Sequence, residues 1–347
     1  MRVASPLAAG VAGLLAATLS APTTAVAASR GGTTHACSAS VDIDGFSDAL
    51  DKTTFDGVYV GNLSALAVDR GGRIAALSDR SSLFSLDART LRPVGVVNLA
   101  DENGAALDSE GLAVDRDGTR LITSETEPSI RRYSRTGKIL DRLPVPDALR
   151  VAPAGRASGN LTFEGLTMEP GGRTLVASME GALSGDDADL VRVQTWRRAG
   201  YGRDFRLSAQ YGYRVDSGLG ISDITATPDG RLLVLERGFT SGVGNTIRLY
   251  LADPRHATDV SRTENLTAGP GVRLIGKSLL ADLGDCPSLG ATARQPQPNP
   301  LLDNVEGITI TGRAPGGRLR LLLVSDDNQN PAQITRLYSL TVRLPRS

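Results

Sequence analysis

The chain has 347 residues, of which 40% are hydrophobic and 22% charged, and its 38 basic and 38 acidic side chains give a formal net charge of zero. That length accommodates one large domain or two ordinary ones with a substantial core. The balanced charge excludes nucleic acid as a partner, because such binding shows as a basic excess or stripe.

The N-terminus reads as a leader. Arg2 is followed by an uncharged apolar run over residues 7–19, and Ala25-Val26-Ala27 supplies small residues at signal-peptidase spacing. Cleavage near Ala27 or Ala28 is expected, which makes residues 1–27 a signal peptide, residues 28–347 a single secreted domain, and the mature protein a monomer. No later stretch reaches about 18 uninterrupted apolar residues, so no membrane anchor is expected after cleavage. The two cysteines, Cys37 and Cys286, favour one disulfide in an oxidising compartment, the alternative being two separate thiols. Such a bridge would close a loop of about 250 residues, worth roughly 4–5 kcal/mol in the chain-entropy treatment.

Five later segments share one layout: residues 63–79, 109–125, 163–180, 221–237 and 305–326. Each reads as strand, tight turn, strand. The centres are Gly71-Gly72, Asp117-Gly118, Gly171-Gly172, Asp229-Gly230 and Gly316-Gly317, pairs that tolerate the positive φ of hairpin turns. Helical periodicity is missing beyond a short turn near Asp147. A circular spacing of about 53 residues per unit predicts an all-β, six-bladed β-propeller with a carboxylate-lined central channel. The sixth, degenerate blade is expected around residues 246–282. Closure is expected through pairing of residues 335–344 with strands near the N-terminus, which removes exposed sheet edges. A β-sandwich is the rival architecture, but it has no need of a repeated hairpin.

A hairpin returns on itself, so the acids that open and close it share a rim. Glu110 pairs in this way with Glu125, Glu164 with Glu180, and Glu306 with Asp326; Ser64 and Ser222 open the other two copies, with Asp79 and Glu236 as closing acids. If these hairpins are the inner strands, the acids converge on the channel. Like charges raise one another's pKa unless a cation relieves them, and oxygen donors at flexible spacing suit Ca²⁺. Arg237 is an alternative source of balancing charge. An acid at a strand start can also clip the backbone N–H of the next blade. Glu110, Glu164 and Glu306 each precede a glycine, which permits close approach of backbone or ligand.

The segments Ser109-Glu110-Gly111-Leu112, Phe163-Glu164-Gly165-Leu166 with Glu180, Pro228-Asp229-Gly230-Arg231-Leu232-Leu233-Val234-Leu235-Glu236-Arg237-Gly238-Phe239, Val305-Glu306-Gly307, and Val324-Ser325-Asp326-Asp327-Asn328-Gln329-Asn330 followed by Gln333, Thr335 and Arg336 together resemble the phytase-like family, also described as "esterase-like activity of phytase" proteins. The resemblance runs over nearly the whole mature chain and implies a propeller with a link to phosphoester hydrolysis.

Elimination narrows the chemistry. The two histidines, His35 and His256, lie in no phosphatase motif, and neither G-x-S-x-G nor H-E-x-x-H occurs. Carboxylate and metal chemistry remains. Glu164 and Glu306 are the candidate proton acceptors. Glu110, Glu180, Asp326, Asp327 and Asn328 are the candidate Ca²⁺ ligands, and Arg237 the contact for a small anionic or ester substrate. The expected function is a secreted metal-dependent phosphoester hydrolase. The alternatives are a lactone or carboxylic ester hydrolase and a non-catalytic binding module.

Overall fold

The structure is a computed structural model that describes residues 35–202 and 204–345; the expected leader lies outside them. Strand β1 (Val41–Ser47) and the hairpin β2 (Thr53–Phe55) and β3 (Val58–Val60) precede the repeats. Blade one is β4 (Leu63–Asp69), β5 (Arg73–Ser78), β6 (Ser82–Asp87) and β7 (Pro93–Asn98). Blade two is β8 (Leu112–Val114), β9 (Arg120–Ser124), β10 (Ser129–Tyr133) and β11 (Ile139–Leu143). Blade three is β12 (Phe163–Met168), β13 (Thr174–Met179), β14 (Leu190–Arg197) and β15 (Arg206–Arg214). Blade four is β16 (Gly220–Ala226), β17 (Leu232–Thr240), β18 (Gly244–Asp253) and β19 (Gly276–Asp282). Blade five joins β20 (Asn304–Arg313), β21 (Leu319–Asp326) and β22 (Leu337–Val342) to β1, in the order β20-β21-β22-β1.

The first strands form a closed ring: β4 packs on β8, β8 on β12, β12 on β16, β16 on β20, and β20 back on β4. They are therefore the inner strands, and the all-β propeller reading holds. Closure also follows the expected route. β22 pairs antiparallel with β1, from Val41 opposite Val342 to Ser47 opposite Leu337, so the chain start supplies the outer strand of the last blade. The Gly-Gly and Asp-Gly turns adopt positive φ, including 70° at Gly71, 85° at Gly118 and 84° at Gly230.

The blade number differs from expectation: the described residues contain five four-stranded blades, not six. Residues 246–282 are not a degenerate blade. They hold the two outer strands of blade four, β18 and β19, separated by an insertion. Val260 and Leu266 of the insertion pack on Leu190 of blade three, and Arg192 donates to the Glu264 carbonyl at 2.9 Å. The insertion lengthens the chain between two hairpins without adding a sheet, and this inflated the repeat spacing.

Each of the five interblade interfaces is filled by its own apolar cluster. Period-two alternation splits single strands between clusters. In β17, Leu233 and Leu235 face blade five while Leu232 and Val234 face blade three. Both faces are buried, so the strands read as continuous apolar runs. Cys37 and Cys286 form a disulfide that ties the segment before β1 to the loop after β19, the chemistry of an oxidising compartment.

Candidate functional site

The closing residue of each inner hairpin occupies one equivalent position. The backbone N–H of Asp79 bonds the Asn62 carbonyl, that of Glu125 the Asp108 carbonyl, and that of Glu180 the Thr162 carbonyl, at 2.7–2.9 Å. In the remaining blades Arg237 lies opposite Gly220 and Asp326 opposite Asn304. All five side chains line one cavity of about 400 Å³. Blade four thus places a guanidinium where the other blades place a carboxylate. Glu236, the closing acid expected there, points the other way. It is buried against Tyr213 Oη at 2.7 Å and the Asp216 N–H at 2.8 Å. Adjacent residues of a strand face opposite sides, so Glu236 and Arg237 cannot both reach the channel.

Glu164 and Glu306 reach the same cavity from β-bulges, whereas Glu110 reaches it from just before β8, where no slip occurs; slips mark the opening positions of four inner strands. The register slips between Leu63 and Ala65, Phe163 and Leu166, Ile221 and Asp223, and Val305 and Gly307. Each slip leaves one residue without a cross-strand partner, and a bulge re-aims its side chain. Glu110, Glu164 and Glu306 all line the cavity; Ser64 and Ser222, at the corresponding positions, do not. The glycine after each glutamate serves backbone packing. A Cβ on Gly111 would lie 2.4 Å from the Glu164 carbonyl oxygen, one on Gly165 2.7 Å from the Ile224 nitrogen, and one on Gly307 3.0 Å from Ala65 Cα. The Glu-Gly pair therefore couples a channel acid to close contact between neighbouring inner strands.

Eight carboxylates line the cavity: Asp79, Asp108, Glu110, Glu125, Glu164, Glu180, Glu306 and Asp326. The one guanidinium among the lining residues is Arg237, whose Nη2 is 3.7 Å from Glu180 Oε1 and 3.4 Å from Glu306 Oε1. Burial pushes Glu110 and Glu164 well above the usual carboxylate range, Glu306 adding to the effect on Glu110, and Glu110 and Glu180 to that on Glu164. Burial also raises Glu180 and Glu306, each to about 7, although Arg237 pulls both down. Asp326 is raised by burial and by Glu306, and Asp79 is raised by burial to about 6. Acids raised in this way by burial and by one another concentrate at this one cavity, which marks it as the candidate functional site.

Oxygens of Glu125, Glu164 and Glu180 all lie within 4.8 Å of one another. That spacing fits a cation with 2.3–2.6 Å oxygen bonds such as Ca²⁺. A cluster of three glutamates able to hold a metal is thus present. Glu125 was not among the expected ligands, although its place at the end of the second hairpin marked it for this rim. It also acts as a clip, its Oε1 accepting the Thr162 N–H at 3.0 Å. The purest clip is Asp223, wholly buried, whose Oδ2 accepts the Ile308 N–H of blade five at 2.8 Å.

The Asp326-Asp327-Asn328 run divides. Asp326 and Asn328 line the cavity. Asp327 does not: its carboxylate turns away to Lys52 Nζ, Tyr59 Oη and the Asn62 N–H. Burial alone would raise Asp327, but Lys52 and these hydrogen bonds outweigh it and hold its pKa below the ordinary value. Phe239, Asn330 and Gln333, which belong to the segments that carry the family resemblance, also line the cavity. Asn160, Asn245, Gln295 and Asn304 carried no signal in the sequence; they are loop and strand-end residues that only the closed ring brings together.

A sequence profile of the phytase-like family, described as esterase-like activity of phytase, matches residues 58–329. The chain belongs to the phytase-like family. The match covers all five inner hairpins up to Gln329. An uncharacterized secreted protein from Arthroderma benhamiae is 28% identical over 118 aligned residues, covering 27% of this chain and 23% of the relative, so the likeness spans about a quarter of that protein's length. Among solved structures, a gluconolactonase from Xanthomonas campestris aligns with a TM-score of 0.42 at 14% identity, covering 83% of this family member and 74% of the other chain. A putative gluconolactonase aligns with a TM-score of 0.41 at 13% identity, covering 81% and 74%.

Proposed function

We propose that this protein is a secreted, divalent-cation-dependent hydrolase of phosphoesters that works at the acidic mouth of its channel. The observation that carries this reading is the set of eight carboxylates facing one guanidinium in a single cavity. Glu125, Glu164 and Glu180 offer three oxygens at a spacing suited to Ca²⁺. A cation held there would neutralise the acids and polarise the phosphoryl oxygen of a substrate.

The chain's own groups take the remaining roles. Glu306, with a pKa near 7, is anchored by Asn304 Nδ2 at 2.8 Å. It is poised to accept a proton from an attacking water, because a base works best when its pKa lies near the operating pH. Glu164 and Glu180 bring carboxylate oxygens within 4.8 Å of each other, and burial raises both above the usual carboxylate range, so protons would occupy this pair until a cation displaces them. Arg237 orients the anionic group of the substrate, and its buried Nε has no partner among the described residues.

A lactone or carboxylic ester substrate is the second reading. The excess of carboxylates over guanidinium favours it, since a neutral ester meets no repulsion from them. The test is turnover of phytate, 4-nitrophenyl phosphate and a simple lactone by the mature chain, with Ca²⁺ and after chelation. Chelator-sensitive release of phosphate supports the proposal. Activity on the lactone alone selects the second reading, and tight Ca²⁺ binding without any turnover selects a binding module.

A further inference from the structure

The inner hairpin of blade four outgrows its counterparts. β5, β9 and β13 stop before their closing residues, whereas β17 runs past Arg237 to Thr240 and pairs with β18 along the whole extension. Phe239 lies opposite Asn245, and Arg237 opposite Ile247. Side chains two apart on a strand share a face, as do directly opposed residues. Arg237, Phe239 and Asn245 therefore stand together, and all three line the cavity. The other face is sealed: a Cβ on Gly238 would meet the Gly218 carbonyl oxygen at 2.6 Å.

Asn245 is the unusual member. It is 1% exposed, yet neither its Oδ1 nor its Nδ2 has a partner among the described residues. Its position is built. Its backbone N–H donates to Gln297 Oε1 at 2.8 Å, and Gly244, at φ 110°, lets the chain pass where a Cβ would lie 2.5 Å from the Pro296 carbonyl oxygen. Gln295, from the same neighbouring segment, also lines the cavity with a buried, unpartnered Nε2. Phe239, 55% exposed, sets an aromatic face beside these amides. A buried amide without partners is costly unless a ligand completes it.

We propose that Asn245, Gln295 and Phe239 form a subsite for the alcohol portion of the substrate, and that this portion is a sugar ring with adjacent free hydroxyls and one phosphate. The inference rests on the reading of the channel mouth as a phosphoester hydrolase. An amide presents one acceptor and two donors, the complement of two neighbouring hydroxyls, and an aromatic ring packs on the apolar C–H face of a pyranose. A fully phosphorylated ring offers Asn245 Oδ1 no donor and brings many negative charges to a cavity with one guanidinium. In the reaction, water adds to phosphorus, the bond from phosphorus to the sugar oxygen breaks, and that oxygen leaves as a hydroxyl with a proton.

The test compares kcat/KM on glucose 1-phosphate and on 4-nitrophenyl phosphate for the Ca²⁺-loaded mature chain, Asn245→Ala, Phe239→Ala and Val243→Ser. Val243 is an exposed residue at the tip of the same hairpin and does not line the cavity. The expected result is a fall of about tenfold or more in the ratio of the two constants for Asn245→Ala, a smaller fall for Phe239→Ala, and an unchanged ratio for Val243→Ser. Urea unfolding checks that each variant folds. A ratio that stays constant in Asn245→Ala overturns the subsite while leaving the hydrolase reading intact. If neither ester is turned over, the hydrolase reading falls, and calorimetric titration with glucose 1-phosphate decides the subsite alone. Binding weakened about tenfold in Asn245→Ala supports it, and absence of binding to the wild type overturns it.

Discussion

Metal-free protein should lose stability as the pH rises from 6 to 8. Glu180 and Glu306 ionise near 7 in the folded chain instead of at 4.5, because they are buried among other acids. The folded state then holds protons that the unfolded chain has already released, and stability falls as pH rises through that window. A shift of this size is worth about 3 kcal/mol per group at full ionisation, an upper figure because the two acids repel each other and share Arg237. Between pH 6 and 8 the expected loss is about 1 kcal/mol from each, or about 2 kcal/mol from the pair. Asp79 and Asp303, raised to about 6, act with the same sign but mostly at lower pH. Urea unfolding of chelator-treated protein measures the slope. Glu180→Gln should make the slope shallower, Glu110, Glu164 and Asp326 adding to it with the same sign, and saturating Ca²⁺ should flatten or invert it, since the cation replaces the protons. A metal-free midpoint that stays level or rises from pH 6 to 8, with Glu180→Gln parallel to wild type, would mean that the channel acids are already ionised in the folded chain at pH 6.

Gly111→Ala should cost about 2 kcal/mol by urea unfolding and weaken Ca²⁺ binding in the same titration, because its Cβ would press on the Glu164 carbonyl oxygen at 2.4 Å. Arg237→Gln should tighten Ca²⁺ binding by removing a positive neighbour, yet lower kcat/KM for a phosphomonoester about tenfold or more; a fall in both would show that Arg237 is a structural brace. Cys37→Ser should destabilise the chain by about 5 kcal/mol, since the bridge spans a sequence separation of 249; a thermal melt of the variant against wild type measures it.

Much of this architecture is legible in the residues because hairpin turns and strand periods are local. The five turns, the closing pairing of β22 with β1 and the disulfide partners all follow from patterns within or at the ends of single segments. Blade number is harder to read. The insertion between β18 and β19 has strand-like apolar residues such as Val272 and Leu274, and only its docking against blade three reveals that it is not a sheet. The channel acids show a related limit. Glu110, Glu164 and Glu306 were visible from their repeated register, but the separation of Asp326 from Asp327 depends on one residue of strand alternation and on Lys52 and Tyr59 far away in the chain. Likewise Asn245 and Gln295 belong to no repeated motif. Their meaning comes from an amide left without partners in a wall assembled by two distant segments.

The most direct test is a crystal of the protein soaked in Ca²⁺ and measured for anomalous scattering. A peak is expected within about 2.6 Å of oxygens from Glu125, Glu164 and Glu180, at the meeting point of blades two and three. An ordered channel with no peak, its glutamates held instead by backbone amides and Arg237, would contradict a cation site there.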